Sequence, residues 1–173
     1  GAIIASSPVW SNGTASITLN KGTNVANNLT IQYQVNGIND NNWTTGTDVT
    51  GLHHNDTVYA RLTDGINNGN YASVDIVDNI SPTVNISITS VTSDSIKVKV
   101  TASDGQSGLA TSGPYKYYLD NKLKTTTISN TYTFTSLEES TTYTLKVTVA
   151  DNAGKTTTKS VSAKTESDET IAE

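Results

Sequence analysis

Leu137-Glu138-Glu139-Ser140-Thr141-Thr142-Tyr143-Thr144-Leu145-Lys146-Val147-Thr148-Val149-Ala150-Asp151-Asn152-Ala153-Gly154 is the stretch that decides the fold. Its second part alternates strictly. Tyr143, Leu145, Val147 and Val149 fall on one side of an extended chain, and Thr142, Thr144, Lys146 and Thr148 on the other. That period of two predicts a strand with one buried and one wet face. Asp151 to Gly154 then supplies turn residues that end the run.

The pattern recurs upstream. Leu52 corresponds to Leu137, and Val58, Ala60 and Leu62 to Tyr143, Leu145 and Val147. Asp64-Gly65 provides the closing turn. A repeat of this length predicts two sandwiches in tandem, and 173 residues suit two domains of about 85 each. The expected fold is therefore all-β: two immunoglobulin-like β-sandwiches joined by a short linker. Residues 1–78 form the first, 79–82 a Pro-containing linker, 83–165 the second, and 166–173 an acidic tail.

Composition narrows the function. Hydrophobic residues make up 34% of the chain, which suits many thin strands with one polar face rather than a thick helical core. The net charge of -5, without clustered Lys and Arg, excludes a phosphate-binding surface, so no nucleic-acid partner is expected. With no cysteine there is neither a disulfide framework nor a thiolate metal site. No apolar run approaches a membrane span, so no membrane insertion is expected in this segment. The chain also lacks methionine and is expected to be a fragment or processed product of a longer protein.

Taken in order, Ala2 to Ala5 reads as a first edge strand or the end of a linker. Ala15 to Leu19 and Thr30 to Val35 alternate, the second stopping at the turn Asn36-Gly37. Ile38 to Gly46 is a loop carrying Trp43, Asp48 to Thr50 a short strand, and Tyr71 to Ile76 the last strand of this half. In the second half, Val84 to Ile88, Ile96 to Val100, Tyr115 to Leu119 and Thr156 to Lys164 read as strands, Asp104 to Pro114 as a Gly/Ser loop. Lys122 to Ile128 reads as an edge strand guarded by lysines.

The first part of the deciding stretch, Leu-x-x-x-Thr-x-Tyr, resembles the corner of a fibronectin type III domain. Leu137, Thr141 and Tyr143 match that pattern. The resemblance implies that the leucine plugs the core and that the tyrosine hydroxyl bonds nearby backbone. Ile96, Val98 and Val100 stand where such domains carry a core tryptophan. The first half lacks the corner tyrosine, having Val58 there. It resembles a bacterial immunoglobulin-like repeat with Tyr-x-Val-Asn-Gly (Tyr33 to Gly37) and a following Trp. Asp78 to Val84 is similar to the joint between tandem bacterial surface repeats.

Residue types narrow the possible sites. His53 and His54 are the only histidines and are adjacent, so they point to opposite faces of an extended chain and cannot act together in catalysis. They are expected to be exposed corner residues, and no catalytic residue is expected. Calcium favours oxygen ligands from short loops, and Asp78, Asn79 and Asp104 are the candidates: Asp78 and Asn79 at the joint could meet Asp104, or Asp151-Asn152, if those loops crowd the boundary. Carbohydrate would use exposed aromatic platforms, for which Trp43, Tyr117 and Tyr118 are the candidates. Lys97, Lys99 and Lys146 fall on wet faces, which argues against an internal Lys–Asn cross-link. The expected role is a non-enzymatic spacer or interaction module, extracellular or at the cell surface. Its expected partners are neighbouring repeats and a cell-wall or host glycan or protein. The alternatives are a carbohydrate-binding accessory region of a polysaccharide-degrading enzyme, or an adhesin or phage-tail module.

Overall fold

A computed structural model of the chain describes residues 2–39 and 41–169. Residues 170–173 of the expected acidic tail lie outside the described residues. The chain divides into two units, residues 1–79 with 105–107, and residues 80–104 with 108–173. Each is all-β, an immunoglobulin-like β-sandwich. Among the described residues no helix is long and apolar enough to cross a membrane.

In the first unit, β1 (Ile3–Ala5) and β2 (Val9–Ser11) both pair with β3 (Thr14–Lys21). They are two pieces of one edge. Ala5 faces Leu19 but Val9 faces Ser16, a slip of one residue. Pro8 lies in the slip, where its missing N–H costs no ladder bond. Ser6 bridges the break, its N–H donating to Thr18 O and its Oγ accepting from Thr18 N–H, both at 2.9 Å. On its other side β3 pairs with β6 (Asp48–Leu52). The second sheet runs in the order β5 (Thr44–Thr45), β4 (Thr30–Val35), β7 (Thr57–Thr63), β8 (Ala72–Asp75). Aliphatic side chains fill the space between, led by Ile17, Leu19, Val49, Leu52, Val58 and Ile76.

In the second unit, β9 (Thr83–Val91), β10 (Ile96–Ser103) and β13 (Thr131–Phe134) form one sheet in the order β13-β10-β9. The other is ordered β12 (Lys122–Thr127), β11 (Tyr115–Leu119), β14 (Thr142–Ala150), β15 (Thr156–Lys164). The alternation read from the sequence holds on β14. Leu145, Val147 and Val149 are wholly buried and Tyr143 half-buried, while Thr142 and Thr144 are exposed. Ile96, Val98 and Val100 are likewise buried. Tyr115, Tyr117, Tyr132 and Phe134 add an aromatic stack, with Tyr117 and Tyr132 ring centroids 5.2 Å apart.

Both units follow one plan. A central strand (β3 or β10) is flanked by the first strand and a late one, opposite a four-strand sheet. The tight hairpins have a simple chemical basis. Asp120 and Asn121, between β11 and β12, both have positive φ, as a two-residue turn of the primed type demands. Asn12 and Gly13 do the same between β2 and β3.

The structure differs from the sequence reading in places. Thr44–Thr45 is a short strand inside the expected loop, and Val9–Ser11 is a short strand that the sequence reading left unassigned. On β4 the alternation fails at its end. Gln34 is buried and Val35 is 40% exposed. The reason is a polar anchor: Gln34 Oε1 accepts the Asn39 N–H at 2.7 Å and its Nε2 donates to Asn39 O. An amide bonded through both its oxygen and its nitrogen is tolerated inside, and it fixes the following loop.

Candidate functional site

The loops of each unit are placed by its corner. In the second unit Leu137 is buried at the base of the core. The N–H of the next residue, Glu138, donates to the Tyr143 hydroxyl oxygen at 2.9 Å. Thr141 Oγ1 donates to Glu139 O at 2.8 Å. Buried Thr165, after β15, completes the tie: its Oγ1 accepts from Thr141 N–H at 3.0 Å and donates to Glu138 O.

The first unit has no tyrosine at this point, and a carboxylate does the work. Asp56 Oδ2 accepts the N–H of His53, the residue after Leu52, at 2.7 Å. Its Oδ1 accepts from Asn36 Nδ2 at 2.8 Å, while Asn36 Oδ1 accepts the Thr57 N–H at 2.9 Å. Burial pushes the Asp56 carboxyl up. The Asn36 amide, the His53 N–H and the His53 imidazole outweigh it and hold the group below the usual carboxylate range. His53 is exposed as expected. His54 is not: it is half-buried, and its Nδ1 accepts the Asp78 N–H at 3.0 Å, a structural use that corrects the reading of both histidines as exposed.

The aromatic candidates separate. Tyr117 is wholly buried, with its hydroxyl donating to Ser129 O at 2.8 Å. This corrects its reading as an exposed platform; of the pair Tyr117-Tyr118 it is the member that faces the core. Tyr118 is half-buried on the outer face, with Lys146 Nζ 4.6 Å from its ring centre. Trp43 is half-buried, and the Arg61 guanidinium lies 4.1 Å from its ring centre. Arg61 stands nine residues after Leu52 and Lys146 nine after Leu137. The same repeat position thus carries a cation lying over an aromatic ring in both units, an arrangement that stabilises by about 1 kcal/mol when exposed.

The acidic candidates belong to different units. Asp78, in the first unit, is buried, and its carboxylate accepts from Ser107 N–H and Oγ. Asn79 is exposed. Asp104, in the second unit, lies with a carboxylate oxygen within 4.8 Å of one on Asp151. Both serve their own loops: Asp104 Oδ1 accepts from Gly108 N–H at 3.3 Å, and Asp151 Oδ1 from Ala153 and Lys155 N–H at 2.9 and 2.8 Å.

Sequence reading missed one concave feature, a cleft of about 460 Å³ in the first unit. The chain crosses there from β5 to β6 within a residue or two. Thr45 pairs with Gln32 in one sheet, and Thr47 O accepts the Leu19 N–H of the other at 2.7 Å. The short β5 leaves the space between Leu19 and Ile31 open at this end. The only sequence signal was the polar loop Asn20 to Asn28, which by itself points to no site.

By this geometry the chain falls into the class of tandem fibronectin type III-like and immunoglobulin-like sandwiches. A two-domain fibronectin type III segment from chicken tenascin matches with a TM-score of 0.54 at 14% identity, covering 94% of this chain and 97% of that one. The fibronectin(III)-like modules of Clostridium thermocellum CbhA match at 0.43 and 15% identity, covering 95% and 94%. The FN1-FN3 domains of chicken CNTN1 match at 0.39 and 14% identity, covering 94% and 67%. Of these three, the tenascin likeness alone is close enough to support the fold, and the fold is what it shows. No family model and no curated protein matches the chain.

Proposed function

We propose that the chain is a non-enzymatic spacer and interaction segment of a secreted or surface-attached bacterial protein. In this reading residues 1–78 are one repeat, of bacterial immunoglobulin-like type, 79–82 a linker, and 83–165 a fibronectin type III-like repeat, flanked by further repeats of the same polypeptide. The observation that carries the reading is the reuse of one sandwich plan with a tied corner in each copy. Such units spend their sequence on holding shape. β14 and β15, for example, stay in register over nine residue pairs, from Thr142–Lys164 to Ala150–Thr156. Long antiparallel ladders resist extension because many backbone bonds must break.

Pulling the chain from its two ends tests the reading. Two separate unfolding events are expected, each releasing roughly 270 Å of chain for about 80 residues. Smooth extension without discrete events would overturn it. A second reading, a carbohydrate-binding accessory region, rests on Trp43 and Tyr118, half-buried rings that each have a cation over one face.

A further inference from the structure

We infer that the cleft at the β5–β6 crossing of the first unit is a binding site for a carboxylate-bearing sugar residue, as in a uronic-acid oligosaccharide. The inference goes beyond the spacer reading, which stands whether or not the cleft is used. Size is the first ground. At about 460 Å³ the cleft falls within the range of roughly 300–1,000 Å³ typical of small-molecule sites.

Its lining is the second. The floor is apolar: Leu19 and Ile31 from facing sheets close it, both buried, and half-buried Leu29 beside them offers a surface for the C–H face of a sugar ring. The rim is polar and exposed: the Asn27 amide and the Thr45 and Thr47 hydroxyls suit ring hydroxyl groups as donors and acceptors.

Charge is the third. The first 79 residues carry six Asp against two cations, Lys21 and Arg61. Among the described residues no Asp lines the cleft, and Lys21 does. The Lys21 ammonium donates to Leu29 O at 3.1 Å and to Ala26 O at 3.5 Å, which holds it at the rim, and among the described residues it forms no ion pair. An ammonium has three donors, so a proton remains for an incoming anion. A lone cation over an apolar floor with hydroxyl and amide neighbours complements a sugar carboxylate. A neutral sugar would leave the cation unused.

The test titrates hexagalacturonate, and in parallel the neutral cellohexaose, into the whole chain labelled for amide NMR. Saturable shifts at Lys21, Asn27 and Thr45–Thr47 with the acidic sugar are expected, weakening as NaCl rises because the ion pair is exposed. K21Q is expected to weaken binding tenfold or more. N27D, which puts a carboxylate on the rim, is expected to abolish it. Both positions are exposed, and unchanged tryptophan emission and melting will show that the variants fold. The inference is overturned if cellohexaose binds as well as hexagalacturonate, if K21Q binds like the parent, or if no saturation appears by about 10 mM.

Discussion

Asp56 and Tyr143, chemically unlike, play the same part in their two units: each accepts the backbone N–H that follows a corner leucine. Asp56 takes the His53 N–H at 2.7 Å and Tyr143 the Glu138 N–H at 2.9 Å. The repeat therefore preserves a bond rather than a residue. The acceptor comes from the loop in one copy and from the strand in the other. Its loss should be felt in that copy, and the sequence offers a way to see it. Both tryptophans, Trp10 and Trp43, lie in the first unit, so tryptophan emission reports that unit alone.

Tyr143→Phe removes one acceptor and keeps the ring. The second unit should lose about 1 kcal/mol. Denaturant unfolding followed by backbone circular dichroism should shift, while the tryptophan-detected transition stays in place. A shift in both, or in neither, counts against the bond's local role.

Asp56→Ala should cost the first unit more, about 2 kcal/mol, because a charged acceptor and two of its bonds are lost together. The Asn36 Nδ2 also loses its acceptor, while its Oδ1 keeps the Thr57 N–H. Tryptophan-detected unfolding is the readout.

Acid should act on the same corner. The Asp56 carboxyl is held below its unfolded value of about 3.9, so its contribution is fully present above that pH. It is lost as pH falls through the lowered folded value. Melting of the first unit should therefore drop steeply below about pH 4, and Asp56→Asn should flatten that drop. Asp64 contributes in the same direction, since the N–H groups of Asn67 and Ile66 hold its exposed carboxyl low.

The second unit should respond to base instead. Burial, with Tyr115 beside it, pushes the Tyr117 hydroxyl well above the usual tyrosine range. Its stabilisation is complete below the unfolded value of about 10 and declines as pH rises above it. Tyr117→Phe should remove much of that alkaline loss, at a cost of about 1 kcal/mol at neutral pH from the bond to Ser129 O.

Gly113→Ala tests backbone strain. Gly113 has φ +63°, and a Cβ there would lie 2.8 Å from Thr126 Cγ2. Gly51 has φ +69° with nothing within 4 Å. Alanine at either position meets the left-handed penalty of about 1 kcal/mol. Of the two, only Gly113 would also force a neighbour, the Thr126 side chain on edge strand β12, to shift, so G113A should destabilise its unit more than G51A does its own.

Much of this was legible in the sequence. Period-two runs such as Tyr143 to Val149 placed the strands, and the spacing from Leu52 to Leu137 placed the repeat. What was hidden depends on contacts between distant segments. Nothing local marks Asp56 as a corner acceptor, because Asp in a polar loop is also an ordinary turn former. Gln34 reads as a wet-face residue until Asn39 folds back onto it. Tyr117-Tyr118 shows that one tyrosine must face inward without showing which. The cleft is invisible for a similar reason: it is made by the shortness of β5, and strand ends are where patterning says least.

Amide hydrogen exchange at His53 and Glu138 tests the central claim most directly. Both amides should exchange slowly in the parent chain. Asp56→Ala should speed exchange at His53 and leave Glu138 unchanged, and Tyr143→Phe should do the reverse. Exchange at His53 that ignores Asp56, or at Glu138 that ignores Tyr143, would contradict the account of two copies holding the same corner by different acceptors.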